Sequence, residues 1–402
     1  MSERPHLRRG PALAAARPHA EFLATSSWSR RTGDRVCDFV FGDPQESPPD
    51  GFVEAIQRAG AARDPSWFAY KGSTPVARET VSESLRRRLG VPFEPADVFM
   101  TRGASSALAI ALAALVEPGD EVIFLMPPWF FYESMIAYAR AVPVPVGVDM
   151  RTFDPDIEAL EAAITSRTRA VIVNTPHNPT GRIYSDRVLT DLAGILSSAS
   201  AAHGSPIYLF SDEAYSRIVF DGRRFTSPVA HYPYSLLFYS YGKTLLTPGQ
   251  RMGYLALAPT MPARAELREA IALAQFGGGA LGVPDALMQH ALPDLEPLSV
   301  DVRRLERRRD LLAGALQEHG YEAHRPEGTF YMLVKSPAAD EAPFVDLLAA
   351  HNVYVLPGRI VGLPGYFRIS LTATDDMAER SIVGFSEAMR EHANGRRSVR
   401  RP

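Results

Sequence analysis

Short, nearly continuous apolar runs alternate with longer amphipathic segments between about residue 95 and residue 260. The runs include EVIFLMP, AVIVNTP, IYLFSDEAY and SLLFYSYGK, and segments such as SSALAIALAALV and RVLTDLAGILSSASAA lie between them. A strand buried on both faces has such a continuous apolar run, and parallel strands need helical crossovers. The pattern therefore predicts an α/β fold with a mostly parallel sheet between two helical layers.

The pattern changes near Ser299. A long charged helix, DVRRLERRRDLLAGALQEHG, is followed by the runs TFYMLVK, VYVLPG and YFRISL and by a final helix predicted to end near His392. This order is typical of a smaller α+β domain. We expect an N-terminal arm over residues 1–35, a segment that joins the small domain over 36–50, a large domain over 51–295, the small domain over 296–392 and a disordered tail over 393–402.

The first 35 residues are rich in arginine and alanine, as a transit peptide would be. Glu3 and Glu21, together with the lack of an uninterrupted apolar stretch, argue against a cleaved signal. We therefore expect a loose start followed by an arm that packs on the body of the protein.

Composition narrows the classes of partner. Of the 402 residues, 46% are apolar and 22% are charged, which is ordinary for a soluble enzyme. The 43 basic and 46 acidic residues create no general positive field, so we expect no nucleic-acid partner. No apolar run reaches the roughly 18 to 20 residues that a membrane span needs, so we expect no membrane association. Cys37 is the only cysteine, which excludes an intrachain disulfide and favours the cytoplasm.

Polar residues follow several predicted strands, at the sheet edge where open α/β sheets bind ligands. Lys243 follows the run LLFYS, and desolvation there favours the neutral amine that a Schiff base with an aldehyde needs. Arg251, eight residues later, is a bidentate cation suited to phosphate. The pair indicates a site for an aldehyde that carries a phosphate, with a surface lysine beside a Gly-Pro turn as the alternative.

Two further stretches suit the same ligand. Gly103, Ala104 and Ser105 precede a strongly helical run, where free backbone N–H groups and the helix dipole favour a phosphate; an ordinary serine-capped helix is the alternative. Asp212 ends a strand and Tyr215 follows three residues later. A buried carboxylate needs a cationic partner, and a protonated pyridine nitrogen would be suitable.

Two loops complete the candidate site. Asn178 follows a strand, and its amide could donate to a ring hydroxyl, while the Asn178–Pro179 bond is a candidate for the cis form. Trp129 follows a strand end and two prolines, where its ring could stack on a flat cofactor or pack in the core.

Six motifs, in their order along the chain, resemble those of the class I/II aminotransferases, which are fold-type I enzymes that use pyridoxal 5'-phosphate. The motifs are Gly103-Ala104-Ser105, Pro127-x-Trp129-x-x-Tyr132, Asn178-Pro179-Thr180-Gly181, Asp212-Glu213-Ala214-Tyr215, Ser240-x-x-Lys243 and Gly249-x-Arg251-x-Gly253-Tyr254. The resemblance extends from about Phe39 to Arg380. It implies a large domain with a mostly parallel seven-stranded sheet, and a homodimer with shared active sites.

The resemblance also implies a role for each cofactor residue. Lys243 would hold the cofactor as an internal aldimine and move the proton between the substrate Cα and the cofactor. Asp212 would keep the pyridine nitrogen protonated. Asn178 and Tyr215 would bond the ring hydroxyl, and Trp129 would stack on the ring face. The phosphate would be held by Ser240, Arg251, the amides of Ala104 and Ser105, and Tyr70 of the partner subunit.

The substrate contacts implied by the resemblance come from the small domain. Arg368 in YFRISL would bind the substrate α-carboxylate as a bidentate pair, and without the other motifs it would read as a structural strand arginine. Asn178 and the backbone around Gly42 would face the same carboxylate. The expected ligands are therefore amino acids and 2-oxo acids.

Some positions depart from the family pattern or lie outside it. Gly242 stands where the family often has serine or alanine, which puts one phosphate contact in doubt, and the spacing after Tyr70 is one residue longer than is common. The stretch Gly277 to Gly282 follows a helix rather than a strand, so we interpret it as a flexible active-site segment and not as a dinucleotide loop. The histidines show no metal-ligand spacing, and a structural role is expected for His177.

The leading hypothesis is an aminotransferase that moves an amino group from an L-amino acid to a 2-oxo acid in two stages. Other pyridoxal-phosphate reactions are the alternative: elimination or replacement, cyclising synthesis, decarboxylation or oxidation, because the same residues serve them. A ligand-sensing regulator on this fold is disfavoured because no helix-turn-helix pattern precedes Phe39. The side-chain preference stays open, since the candidate pocket residues would serve equally in packing: Phe41, Tyr70, Trp129, Phe130 and Tyr331.

Overall fold

The structure is a computed structural model that describes residues 10–277 and 282–399. Its strands are β1 (Cys37–Asp38), β2 (Val98–Thr101), β3 (Glu121–Leu125), β4 (Val142–Val146), β5 (Thr168–Asn174), β6 (Tyr208–Asp212), β7 (Ser235–Ser240), β8 (Gly253–Leu257), β9 (Glu322–Ala323), β10 (Tyr331–Lys335), β11 (Val353–Tyr354), β12 (Leu356–Pro357) and β13 (Tyr366–Ser370). Its α-helices are α1 (Gly10–Thr25), α2 (Phe52–Gly60), α3 (Pro75–Leu89), α4 (Ala104–Leu115), α5 (Tyr132–Tyr138), α6 (Ile157–Ala163), α7 (Asp186–His203), α8 (Tyr241–Thr244), α9 (Arg264–Gly277), α10 (Ala286–Leu295), α11 (Val302–Glu318), α12 (Ala342–Ala350) and α13 (Asp375–Val399).

Seven strands form the large sheet in the order β2-β8-β7-β6-β5-β3-β4. The pairs from β7 through β6, β5 and β3 to β4 are parallel, whereas β8 runs antiparallel to both of its neighbours, β2 and β7. The mostly parallel seven-stranded sheet predicted from the sequence is therefore confirmed.

Alternate residues of one strand enter different hydrophobic cores. In β3, Val122 and Phe124 pack in the core that contains α4, while Ile123 and Leu125 pack in the core that contains α7. Both faces of the sheet are thus covered by helices, which is why its strands read as unbroken apolar runs.

The small domain is built on an antiparallel sheet in the order β12-β13-β10-β9. A separate pair joins the N-terminal segment to it, because Cys37 and Asp38 of β1 lie parallel to Val353 and Tyr354 of β11. Helix α11 begins at the N-cap Asp301, whose side chain accepts from the backbone N–H of Arg304. The N-terminal segment is therefore paired with a strand from the C-terminal part of the chain.

The last helix differs from the sequence prediction. Helix α13 extends to Val399, past the end predicted near His392, so residues 393–399 are helical where a disordered tail was expected. No proline interrupts the chain between Asp375 and Val399, and a proline would be the strongest helix breaker. Residues 400–402 lie outside the described residues.

The N-terminal arm includes helix α1, which packs against α5. Phe22 of α1 is buried with Val40, Leu356 and Val361 in a small hydrophobic cluster that is separate from the larger cores. The arm therefore packs on the body of the protein. The first nine residues lie outside the described part of the chain. Among the helices of residues 10–277 and 282–399, none combines the length and apolar character that a membrane crossing requires.

Candidate active site

Three neighbouring strands end in polar residues at one edge of the large sheet. Strand β5 ends at Asn174, β6 at Asp212 and β7 at Ser240, and Asn174 lies directly beside Asp212. A cavity of about 170 Å³ opens at this edge. It is lined by Ala104, Ser105, Leu108, Trp129, Asn174, Asn178, Asp212, Ala214, Tyr215, Ser240, Lys243 and Arg251.

One end of the cavity is built to receive an anion. Gly103, with φ +82°, caps helix α4 without a side-chain hydrogen bond. A Cβ at Gly103 would lie 3.0 Å from Nη2 of Arg251 and 3.4 Å from Oγ of Ser240, and the same Nη2 donates to Oγ of Ser105 at 3.2 Å. We call Gly103, Ser105, Ser240 and Arg251 the anion cradle. Its space, hydroxyls, cation and helix N-terminus suit a phosphate.

The Asp212 carboxylate lines the same cavity. Tyr132 donates its hydroxyl to Oδ2 at 2.5 Å, and the backbone N–H of Ala214 donates to Oδ1 at 3.2 Å. Burial raises the pKa of Asp212, although these hydrogen bonds and Lys243 oppose the shift. A desolvated carboxylate is stabilised by a cationic N–H donor, so the protonated nitrogen of a pyridine ring would be a suitable partner for Asp212.

Lys243 projects from helix α8, the short turn that follows β7. Its Nζ lies 5.4 Å from the ring centroid of Tyr215 and 5.5 Å from that of Phe330, and the residue is half-buried. The amine therefore lies beside two aromatic rings, and Lys243 lines the cavity, as a residue that binds an aldehyde must.

Gly242, the residue before Lys243, is required by packing. A Cβ at this position would lie 2.8 Å from Cα of Pro248, a backbone atom that cannot move aside as a side chain can. Gly242 does not line the cavity. The departure from the family pattern therefore reflects the path of the loop that contains Pro248.

Arg368 connects the small domain to the cavity. It is 1% exposed, and its Nη1 donates to Oδ1 of Asn178 at 3.0 Å while its Nη2 donates to the carbonyl of Val40 at 2.9 Å. Its Nε is buried without a hydrogen-bond partner among the described residues. Burial lowers the pKa of Arg368. A buried cation with an unused donor suits a carboxylate ligand, which would supply both the charge and the acceptor.

Gly42 lies against two aromatic residues at the start of β10, Phe330 just before the strand and Tyr331 as its first residue. A Cβ at Gly42 would approach Oη of Tyr331 to 2.3 Å and Cε2 of Phe330 to 2.6 Å. Only glycine allows this approach, so the N-terminal segment packs closely on Tyr331 and Phe330. The predicted contact of the backbone around Gly42 with the substrate carboxylate remains a prediction.

Tyr70 is not brought to the cavity of its own chain. Its relative exposure is 111%, and it does not line the cavity. Its predicted contact, made from the partner subunit, remains a prediction. Residues 278–281 of the predicted flexible segment lie outside the described residues.

His177 is buried beside the cavity and connects two of its loops. Its Nδ1 lies 2.8 Å from Oγ1 of Thr180, and the ring also donates to the carbonyl of Pro127. Burial lowers its pKa to about 4, with the Pro127 hydrogen bond opposing the shift. The Asn178–Pro179 peptide is cis, as the sequence suggested. Within the described ranges no group of histidine, cysteine and acidic residues is arranged to hold a metal ion.

Three site residues had no assigned role from the sequence. Tyr132 was visible only as the last position of the tryptophan motif, and its bond to Asp212 depends on the fold. Asn174 is a strand-end residue that donates to the Asp212 carbonyl at 2.8 Å and accepts from the Asn178 N–H at 2.7 Å. Tyr331 had been considered only as a pocket aromatic, and its ring centroid lies 3.9 Å from Cζ of Arg368.

Several known proteins are similar to this chain in sequence or in fold. Residues 36–383 match the family described as aminotransferase class I and II. A probable aspartate/prephenate aminotransferase of Thermus aquaticus is 32% identical over 371 residues, covering 90% of this chain and 93% of that protein. A probable N-succinyldiaminopimelate aminotransferase of Mycobacterium tuberculosis is 35% identical over 331 residues, covering 80% of each.

Solved structures agree with the sequence match. An aminotransferase from Eubacterium rectale superposes with a TM-score of 0.85 at 29% identity, covering 96% of both chains. The aspartate aminotransferase of Thermus thermophilus with maleate gives a TM-score of 0.80 at 30% identity, covering 96% of this chain and all of that one. Sequence, fold and cavity therefore agree that this chain belongs to the class I and II aminotransferase family and is an enzyme of amino-group transfer.

Proposed function

We propose that this protein uses pyridoxal phosphate, bound through Lys243, to transfer the amino group of an L-amino acid to a 2-oxo acid. Members of its family depend on that cofactor. The observation that carries the proposal is that Lys243, Asp212 and three residues of the anion cradle, Ser105, Ser240 and Arg251, line one cavity. These are the three groups that an aldehyde, a phosphate and a pyridine nitrogen on one molecule would need.

The cofactor contacts follow from the free groups of the site. The anion cradle, with the amides of Ala104 and Ser105, would hold the phosphate, and Asp212 would hold the pyridine nitrogen. Because Oδ1 of Asn178 already accepts from Arg368, its amide N–H is the group left to face the ring hydroxyl together with Tyr215. Trp129 lines the cavity and would cover the ring face.

The reaction needs orientation of the substrate and movement of one proton. Arg368 would bind the α-carboxylate and so fix the direction of the bonds at Cα, and the Lys243 amine would take and return the Cα proton. When bound, the cofactor supplies the electron sink that makes this proton acidic. The donor amino acid and the acceptor 2-oxo acid would use the site in turn, because both carry the carboxylate that Arg368 binds.

We further propose a cytoplasmic homodimer in which Tyr70 of one subunit reaches the anion cradle of its partner. The exposed Tyr70 ring and the single cysteine support these two statements. The large and small domains would meet near residue 295, where α10 ends before α11 begins.

Borohydride trapping tests the anchor. The purified protein, incubated with pyridoxal phosphate and reduced, should carry the label on Lys243 after peptide mapping, and a Lys243→Ala variant should carry none. A label on another residue, or a protein that stays colourless with the cofactor, would contradict the proposal.

A panel of amino acids tests the reaction. Without any 2-oxo acid, a single turnover should give pyridoxamine phosphate and one 2-oxo acid. Release of ammonia or carbon dioxide, or consumption of oxygen, as the main outcome would instead favour elimination, decarboxylation or oxidation.

A further inference from the structure

Tyr331 lies where the two domains meet above the cavity. It begins strand β10 and is 4% exposed. The guanidinium carbon of Arg368 lies over the Tyr331 ring, 3.9 Å from the ring centroid. A guanidinium packed on an aromatic face gains a cation–π interaction and loses rotational freedom. The ring therefore limits the directions in which Arg368 can present its donors.

The hydroxyl of Tyr331 contacts the other domain. It is hydrogen-bonded to the hydroxyl of Tyr215, whose ring lies 5.9 Å away at 72°. Tyr215 belongs to the large domain and lines the cavity. Gly42 leaves the space for this hydroxyl, since a Cβ there would come within 2.3 Å of it. One side chain thus contacts the carboxylate-binding arginine, a cofactor-facing phenol and the N-terminal segment.

Nearby charges act on the same hydroxyl. Burial opposes ionisation of Tyr331, but Arg368, Lys243 and the hydrogen bond with Tyr215 outweigh it and lower its pKa. In this bond Tyr215 is the donor, because the bond raises the pKa of Tyr215 and lowers that of Tyr331. The direction can reverse, since either phenol of such a pair can be the donor. When Tyr215 donates to a cofactor oxygen, Tyr331 is free to donate to Tyr215, and such chains of hydrogen bonds strengthen one another.

We propose that Tyr331 is a positioning residue with two separable parts: its ring orients Arg368 toward the substrate carboxylate, and its hydroxyl orients Tyr215 toward the cofactor ring oxygen. This inference rests on the proposed function, because it assigns Tyr331 to the same cofactor and substrate site.

The Tyr331→Phe variant isolates the hydroxyl. It keeps the ring, so its KM for the best amino donor of the panel should stay within about twofold of wild type. The visible absorbance of the enzyme loaded with pyridoxal phosphate should change with pH, and the midpoint of that change should rise by roughly 0.5 to 1 unit in this variant. The reason is that Tyr215 donates more weakly to the ionised ring oxygen of the cofactor. An unchanged or lowered midpoint would overturn the role of the hydroxyl.

The Tyr331→Leu variant removes the ring as well. The probe is 2-aminoisobutyrate, which has a carboxylate and an amino group but no Cα hydrogen, so that its binding is measured by absorbance without turnover. Its Kd should rise roughly 3- to 30-fold, the size of one lost cation–π contact. A Kd equal to that of the wild type would overturn the role of the ring.

Tyr321 supplies the matched control. It is also a buried small-domain tyrosine, but its hydroxyl donates to the carbonyl of Phe385 at 2.8 Å. Tyr321→Phe should leave both the midpoint and the Kd unchanged, and equal changes in both phenylalanine variants would show a general structural effect that overturns the proposal. A wild-type protein that gains no visible absorbance with pyridoxal phosphate would contradict the proposed function itself, which is a different outcome from these.

Discussion

His177 joins the loop that carries Asn178 to the loop that carries Trp129, and it does so as a neutral imidazole. Its contacts are Thr180 on one side and the Pro127 carbonyl on the other, and the residue is 2% exposed. Because burial holds its pKa at about 4, against an ordinary value of 6.5, the folded protein resists protonation that the unfolded chain accepts. The shifted pKa of His177 therefore does not affect the free energy of unfolding above pH 6.5, and it lowers that free energy as the pH falls toward 4.

We expect His177→Asn to reduce this acid sensitivity. Asparagine keeps a polar group near the Nδ1 position but cannot be protonated, so the free energy of unfolding should fall less between pH 6.5 and 4, by up to roughly 3 kcal/mol. Urea unfolding at several pH values measures it. The control is His203→Asn, at the exposed end of α7. The prediction would be refuted if the free energy of unfolding of His177→Asn fell as steeply with decreasing pH as it does in the wild type and the control.

Single residues were predictable where the chemistry is local. Lys243, Asp212 and Asn178 were expected to lie near one another because polar residues at the ends of parallel strands meet at one edge of the sheet. All three line the cavity. Tyr132 had no assigned role because its acceptor, Asp212, is 80 residues away in the chain and only the fold brings the two together. The same holds for Tyr331 and Arg368, whose stacking depends on the packing of β10 beside β13.

At the scale of elements, the segment that follows α10 is bonded directly to the lysine helix α8. Glu296 accepts from the hydroxyl of Tyr241 and forms a buried ion pair with Arg217. The Arg217 guanidinium also lies 5.0 Å from the ring centroid of Tyr239. A few residues later, the backbone N–H of Val300 donates to the carbonyl of Thr244 at 2.6 Å. The segment before α11 and the helix that carries Lys243 are thus held by one network.

We expect Glu296→Gln to destabilise the protein strongly. The change leaves Arg217 buried without its carboxylate, and breaking a buried ion pair from one side costs roughly 3 kcal/mol. Urea unfolding at pH 7 measures the loss. Glu322→Gln is the control, because Glu322 pairs with Lys335 at the surface and is 74% exposed as a side chain; equal effects in the two variants would contradict the argument.

The elements themselves were largely predictable, and their ends less so. The apolar runs marked the buried strands because both faces of the sheet are covered. The end of α13 was misplaced because Asn394 and Gly395 resemble a helix stop, yet the helix continues through both to Val399.

At the scale of the whole molecule, the exposed aromatic residues favour a second copy of the chain. Tyr70 is fully exposed, and Phe68 and Phe276 are 55% and 62% exposed. A Cβ at Gly72 would lie 3.1 Å from Cζ of Phe276, so the loop after Tyr70 and the end of α9 form one surface. Exposed aromatic groups of this kind are typical of an interface. The structure of one chain does not test the role that the family resemblance implies for Tyr70, since its expected ligand would be bound by the partner subunit.

Mixed dimers test this arrangement. Co-expressed Lys243→Ala and Tyr70→Ala subunits should recover about a quarter of the wild-type activity, because half of the dimers are hybrids with one intact site each. The control pairs Lys243→Ala with Asp212→Ala. Both residues line the same cavity of one subunit, so every site of that hybrid has a defect and no recovery is expected. Equal activity from the two mixtures would exclude a contribution of Tyr70 across the interface.

The contact between Gly242 and the Pro248 backbone has a consequence for how this sequence can change. Whatever residue stands at 248, a side chain before the lysine is excluded unless the loop of residues 245–250 takes another path, because its Cβ would lie 2.8 Å from the backbone Cα at 248. Homologues with a side chain at 242 should therefore differ in the path of this loop. A serine grafted at 242 from a relative should be accepted only when that relative's whole loop is grafted with it.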